Sequence, residues 1–319
     1  MLYRNYSQYL QEKYDEKVYK IPVNLPGTCP NRDGTVGVGG CIFCDEKGSG
    51  FECLSNTLTV QNQLKKNKEF YNKRFGVKKF IAYFQAFTNT YLPYDKFCEN
   101  ILAVTEDKEL VGIAISTRPD CIDEKYLQFL KDIEKNKNLD ITIELGLQTV
   151  NYHTLDKINR GHTLAEFIDA VLRIKKYNFG ICTHLILNLP WDGEKDVIEN
   201  AKILSALDVD FVKLHSLYIV KGTPLGKMYE NGKINLIGIN EYINRVIIFL
   251  EYLSPHIVIQ RIVGKGVKDD MLFCNWNTSW WKIKDTIEEK MIKDGTCQGK
   301  KCYYLNGRII HNLNKETMS

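Results

Sequence analysis

Short runs of β-branched and aromatic residues return about every 30 residues along much of this chain, and amphipathic helical patterns lie between them. The runs are Val18 to Val23, Lys79 to Phe84, Val111 to Ser116, Ile141 to Gly146, Ile181 to Asn188, Phe211 to Leu217 and Ile257 to Val263. Each reads as a strand. Leu164, Phe167, Ile168, Val171 and Leu172 keep helical spacing, as do Ile239, Tyr242, Ile243, Val246, Ile247 and Leu250. Strand and helix in alternation predict a parallel sheet, because parallel neighbours need a crossover connection. Seven strands are one short of a closed eightfold barrel, so the expected fold is α/β, a partial, opened parallel β/α TIM-like barrel. No linker divides it. The reading places an N-terminal extension at 1–17, a core barrel at 18–265 and a C-terminal extension at 266–319 that covers the barrel or its substrate.

Hydrophobic residues at 44% and only 8 prolines provide for a sizeable core and exclude a disordered chain. The longest apolar stretches fall far short of the ~20 residues a membrane helix needs. The first residues carry neither an apolar signal region nor a small-residue cleavage site, so the expected location is the cytoplasm. Ten cysteines in such a chain point to metal or redox roles, not disulfides. The net charge is only +4, but residues 65–79 alone carry +6 through Lys65, Lys66, Lys68, Lys73, Arg74, Lys78 and Lys79 against Glu69, which leaves −2 on the remainder. A basic cluster on a near-neutral body suits a polyanionic partner; a solvated helix end is the plain alternative.

In a parallel barrel, reactive groups sit on loops after the C-terminal ends of strands. The loop after Val23 holds Cys29, Cys41 and Cys44 in a C-x11-C-x2-C pattern, with glycines at 27, 34, 37, 39 and 40. Those glycines let the backbone wrap a bulky centre through positive φ. Three thiolates on a cubane iron-sulfur cluster leave one iron open for a ligand. With Cys53 added, the same loop is also compatible with tetrahedral zinc.

The motifs TCPNRDGTVGVGGCIFCDEKGSG, AYFQAFTNTYLP, STRPDC, ELGLQTVNYHTLDKINRGH, CTHLILNLP and VIQRIVG, in that order, resemble those of radical S-adenosylmethionine (radical SAM) enzymes of the YhcC/YtqA-like subgroup. Relatives of that subgroup are the Elongator catalytic subunit and oxygen-independent coproporphyrinogen oxidase. The resemblance runs from about Tyr3 to Gly299 and implies a barrel of the radical SAM type. It also implies a 4Fe-4S cluster on Cys29, Cys41 and Cys44, S-adenosyl-L-methionine on the open iron, and a 5'-deoxyadenosyl radical that abstracts hydrogen from substrate.

By resemblance, Gln148 meets the cofactor ribose and Arg160 its carboxylate, where a guanidinium fork fits two parallel hydrogen bonds. Gln85 stands where related enzymes cradle the cofactor amino group. His184 occupies a position that is often a carboxylate in the family, and Asn188 one that is often glycine. Thr117, Glu144 and Arg261, near strand ends, complete the expected cofactor wall. Arg118, Asp120 and His215 are substrate candidates, together with Lys65, Lys66 and Arg74 of the basic segment. Cys274, Cys297 and Cys302 are too irregularly spaced to argue a second cluster. Cys98, Cys121 and Cys182 read as small buried hydrophobes.

The subgroup and the Elongator subunit are linked to the wobble uridine of tRNA. The implied task is remodelling of an aminomethyl side chain at uridine C5, for example carboxymethylaminomethyl to aminomethyl. tRNA is then the substrate, flavodoxin or ferredoxin the reductant, and a tRNA methyltransferase a downstream partner. Arg32, the basic segment, Trp276, Trp280, Trp281, Tyr303 and Tyr304 are candidates for phosphate contact and base stacking. A radical SAM oxidoreductase or cyclase of a small metabolite, and a zinc-bearing RNA-binding protein without catalysis, are the competing readings.

Overall fold

The computed structural model describes residues 1–45, 53–266 and 270–307. The end of the cysteine-loop motif (46–52) and the last part of the C-terminal extension (308–319) lie outside the described residues. In chain order the elements are α1 (Tyr6–Tyr14), β1 (Val18–Val23), α2 (Val60–Phe75), β2 (Lys79–Phe84), α3 (Tyr94–Thr105), β3 (Leu110–Thr117), α4 (Glu124–Lys137) and β4 (Asp140–Gln148). There follow α5 (Tyr152–Lys157), α6 (Leu164–Lys175), β5 (Gly180–Ile186), α7 (Glu194–Ala206), β6 (Phe211–His215), β7 (Ile219–Val220), α8 (Pro224–Glu230), α9 (Ile239–Tyr252), β8 (Val258–Arg261), β9 (Met271–Phe273) and α10 (Trp280–Lys293). Seven strands form one parallel sheet in the order β1-β2-β3-β4-β5-β6-β8, an opened half-barrel.

Side chains alternate across each strand, so every strand has an outer and an inner set. Ile21, Val23, Phe80, Phe84, Ile113, Ile115, Ile143, Leu185, Val212 and Leu214 form the outer set, buried with the helices in one continuous core. The inner set is stacked in layers, as in closed barrels. At the floor, Val18, Ile81 and Ala114 meet Leu10 and the tyrosines Tyr6, Tyr9 and Tyr14 of α1, while Cys182, Phe211 and Val258 meet Tyr6 and Tyr9. The N-terminal extension therefore plugs the floor.

It also pairs with the free edge. Asn5 forms a parallel bridge with Ile259 of β8, where the Ile259 N–H donates to the Arg4 carbonyl at 2.8 Å. The segment after α10 meets the same place: the Gln298 N–H donates to the Leu2 carbonyl and the Arg4 N–H to Gln298 Oε1, at 2.8 and 2.9 Å. Ile283, Ile287 and Met291 of α10 belong to the barrel's outer core. β7 and β9 pair antiparallel, a short ribbon that the periodicity did not reveal because each strand has only two or three residues.

Two expectations change here. Trp276 is packing, not a stacking platform, since its ring lies against Tyr242 and Phe273 and its Nε1 donates to the Ile237 carbonyl at 2.8 Å. Tyr304 is tied down through its hydroxyl to the Tyr252 carbonyl at 2.6 Å, whereas Trp280, Trp281 and Tyr303 are exposed.

Candidate active site

The loop from Gly27 to Cys44 lies across the C-terminal ends of the strands. It borders a cavity of about 400 Å³ lined by Cys29, Cys41, Cys44, Gln85, Thr117, Arg118, Gln148 and Arg160 above and by the inner strand faces below. Gly34, Gly39 and Gly40 adopt positive φ. Gly37 is needed for space instead, because a Cβ there would run into the Asn31 amide. On the other side of that amide, a Cβ on Gly161 would come within 2.5 Å of Asn31 Oδ1. Asn31, fully buried, donates to the Asn159 carbonyl at 2.5 Å and points Nδ2 at Cys41 Sγ, 3.8 Å away.

Each cysteine sulfur faces one guanidinium. Arg118 Nη1 lies 3.9 Å from Cys29 Sγ, Arg160 Nη1 3.4 Å from Cys41 Sγ and Arg32 Nη2 3.8 Å from Cys44 Sγ. Cationic donors of this kind offset thiolate charge and tune an iron-sulfur centre. Arg32 is therefore not an RNA contact: it is folded into the loop, donates to the Cys44 and Asp45 carbonyls, and lies over the Phe87 ring. Arg118 is held by both carboxylate oxygens of Asp120, at 2.8 and 2.6 Å, and donates to the Arg160 carbonyl. The structure thus puts these two candidates beside the cysteine loop.

Arg160 also donates to the Gly146 carbonyl at 2.6 Å, and a Cβ on Gly146 would sit 2.8 Å from its Nη2. The register slips after Gly146, and Gln148 takes φ +77°, an uncommon conformation for a residue with a side chain. Such strain recurs at binding sites. The Thr117 hydroxyl bonds to that of Thr90 at 2.5 Å. His162, which sequence reasoning passed over, lies at hydrogen-bond distance from the Gly146 carbonyl, and burial with Arg160 and Arg118 nearby drops its pKa to about 3. Asn188 accepts from the Leu217 N–H at 2.7 Å and so holds the chain leaving β6.

Below this rim the inner faces carry a layer of polar groups from every strand: Lys20, Tyr83, Ser116, Glu144, His184, Lys213 and Gln260. Glu144 is its hub. It accepts from Lys20, from Lys213 at 2.9 Å and from His184 Nε2 at 2.7 Å. Burial works against its charge, but Lys20 and Lys213 outweigh it and hold the carboxyl well below the usual range. Lys213 is pushed down to about 8 by burial, with Lys20 and Arg261 adding to the effect and Glu144 opposing it. His184 falls to about 4 through burial and Lys213. Arg261 Nη2 donates to His215 Nδ1 at 2.7 Å, so that imidazole is neutral. Lys20, Tyr83, Lys213 and Gln260 escaped the sequence reading, because a lysine in a short strand is ordinarily taken as solvent-facing.

The spacing of the sulfurs bears on the choice between iron and zinc. Tetrahedral zinc with ~2.3 Å bonds needs sulfurs about 3.8 Å apart. Among the described residues, no three of Cys29, Cys41, Cys44 and Cys53 bring their sulfurs within 4.8 Å of one another. Arg32 and Arg160 line the same cavity, and their cationic side chains there fit an anionic ligand.

A half-barrel with three cysteines and three arginines at its mouth defines a protein that holds a metal cluster over an enclosed chamber. Residues 24–204 match the radical SAM superfamily model and residues 209–293 the radical SAM C-terminal domain. The chain belongs to the radical SAM superfamily; it is a radical SAM enzyme, and its cofactors are a 4Fe-4S cluster and S-adenosylmethionine. It is 37% identical to MJ0486 of Methanocaldococcus jannaschii, over 95% of this chain and 93% of that protein. It is 35% identical to YtqA of Bacillus subtilis, over 93% and 92%. The solved structure of Methanocaldococcus infernus Elp3 superposes with a TM-score of 0.68 at 18% identity, covering 88% of this chain and 64% of that one, and so shares its fold. No helix of the described residues is long and apolar enough to cross a membrane.

Proposed function

We propose that this enzyme remodels the C5 side chain of the wobble uridine in tRNA, for example carboxymethylaminomethyl to aminomethyl. Cys29, Cys41 and Cys44 would hold the cluster, with Arg118, Arg160 and Arg32 compensating their charge. Arg160 and Gln148 would hold the methionine carboxylate and the ribose, Gln85 the amino group, and Thr117 the rim between them. The bound cofactors would supply hydrogen-atom abstraction from a substrate carbon. The protein's part is to present one carbon and keep water out.

For the carboxymethylaminomethyl case the balance closes. The methylene carbon next to the carboxylate gives up one hydrogen atom and one further electron, and water then adds to the oxidised carbon. The C–N bond breaks to leave the aminomethyl group and glyoxylate. The two electrons lost match reductive cleavage of one S-adenosylmethionine to methionine and 5'-deoxyadenosine. A flavodoxin or ferredoxin would prime the cluster, and a tRNA methyltransferase would take the exposed amine.

The observation that carries the tRNA reading is the basic, aromatic α2 at the cavity edge. Its Tyr71 lines the cavity, while Lys65, Lys66, Lys73, Arg74 and Phe70 are exposed. Charge and stacking together are what a structured RNA loop requires. In support, a partial relative 29% identical over 40% of this chain is the tRNA uridine(34) acetyltransferase of M. jannaschii, of which the match spans 24%. The test is nucleoside mass spectrometry of tRNA from cells with and without the protein. An unprocessed wobble uridine should accumulate in its absence, and purified, reduced enzyme should convert it. Identical nucleosides, with no tRNA-stimulated cofactor cleavage, would favour a small-metabolite substrate.

A further inference from the structure

We propose that the polar layer inside the barrel is an anion receptor in which Lys213, Lys20 and Arg261 grip a carboxylate of the substrate. This rests on the wobble-uridine reading for the identity of the substrate but not for the existence of the receptor.

The arginines at the rim face the cysteine sulfurs, Arg160 is already assigned to the cofactor carboxylate, and Asp120 balances Arg118. Deeper in, Lys20, Lys213 and Arg261 line the cavity, whereas Glu144 is the acidic side chain that lines it. The layer is left about two positive charges in excess. The histidines do not relieve this: His184 is spent on Glu144, and His215 accepts from Arg261. Lys213 is buried and Lys20 and Arg261 are partly so, and charge withdrawn from water in this way is costly unless a partner offsets it.

Geometry agrees. Buried Arg261 Nε and Gln260 Nε2 have no hydrogen-bond partner among the described residues, although both side chains line the cavity. Lys213 contacts Tyr83 and one carboxylate oxygen, so its third proton is open to a further acceptor. A metal ion is a poor alternative occupant. Glu144, Cys182 and His184 do bring ligand atoms within 4.8 Å of one another, yet two ammonium groups already hold that carboxylate. Burial is the main cause of the depressed pKa of Lys213, and Lys20 and Arg261 add to it beyond Glu144's opposition.

An acid bound here would lie beneath the cluster mouth, with the carbon next to it directed upward. The carboxymethyl group of the proposed nucleoside has this form: its reactive methylene is bonded to the carboxylate.

The experiment compares binding of 5-carboxymethylaminomethyluridine, its methyl ester and succinate to reconstituted enzyme at constant ionic strength. The receptor predicts at least tenfold preference for the acid over the ester, and loss of that preference in Lys213→Met and Arg261→Gln. Arg261→Lys should restore part of it. Iron content and circular dichroism show whether each variant has folded; should Lys213→Met fail, Lys20→Met takes its place. Equal binding of acid and ester by the wild type overturns the receptor even if tRNA is turned over. Succinate binding that depends on Lys213 and Arg261, without nucleoside binding, supports the receptor and removes the wobble-uridine reading. Binding of neither acid overturns the receptor.

Discussion

Glu144 shows how one buried carboxylate can organise a catalytic interior. It is 1% exposed and held by three cationic or hydrogen-bonding partners from three strands, so removal of its charge leaves Lys20 and Lys213 facing each other. The same crowding makes Lys213 a destabilising residue at neutral pH. Its folded pKa of about 8 lies below the unfolded value near 10.5, so the unfolded chain binds more protons between those values. Stability therefore rises with pH across that window, and below about pH 8 the cost is fully present. Lys213→Met should abolish the rise in stability between about pH 8 and 10.5. A variant whose denaturation midpoint still climbs over that window as the wild type's does would refute this. His184, depressed to about 4, acts at the other end: stability is lost as pH falls from about 6.5 towards 4, because the unfolded imidazole charges first.

The rim yields two further expectations. Replacing Cys29, Cys41 and Cys44 together with Ala should remove iron and brown colour from protein purified without oxygen, as iron quantitation and visible absorption will show. Arg160→Ala should keep iron but weaken S-adenosylmethionine binding by about 1.5 to 3 kcal/mol, through loss of a charge-assisted hydrogen bond. Unchanged affinity in equilibrium dialysis would place the cofactor carboxylate elsewhere.

At the scale of elements, the strands were legible and their inner faces were not. β1 and β2 begin and end where the β-branched runs do. Their outer parity is apolar because helices cover it, and that is the face a hydrophobic pattern detects. The inner parity places Lys20, Tyr83, Ser116, Glu144, His184, Lys213 and Gln260 one per strand, a signal visible only when all seven strands are compared at once. The cysteine loop was legible from spacing and glycines. Its arginine counter-charges were not, since Arg32, Arg118 and Arg160 are far apart in sequence and meet only in the fold. The charge count of α2 likewise overstated its free face: Lys68 is paired with Asp107 and Glu109. What remains is Lys65, Lys66, Lys73 and Arg74, the last lying against the Phe70 and Phe75 rings. Replacing Lys65, Lys66 and Arg74 with Gln should weaken tRNA binding and flatten the slope of log affinity against log salt by about 2 to 3. A filter-binding salt series that shows no change would move the RNA surface off α2.

At the scale of the whole molecule, the half-barrel is finished by segments outside its own strands. α1 plugs the floor, Arg4 and Asn5 occupy the β8 edge, and Gln298 secures them while its amide donates to the Ser254 and Ile257 carbonyls at 2.7 and 2.8 Å. Gln298→Ala should destabilise the protein by about 1 to 3 kcal/mol, because it leaves buried backbone carbonyls without donors. Chemical denaturation measures this directly; a wild-type midpoint would show that the junction carries no load.

The junction between Leu2, Arg4 and Gln298 also has a meaning in time. Its partners Arg4 and Gln298 are 294 residues apart in sequence, so the floor plug cannot be locked until Gln298 has been made. Contacts of such separation form late and slowly. Until β8 has been made, β6 is the uncovered edge of the growing sheet and is open to pairing with a neighbouring chain.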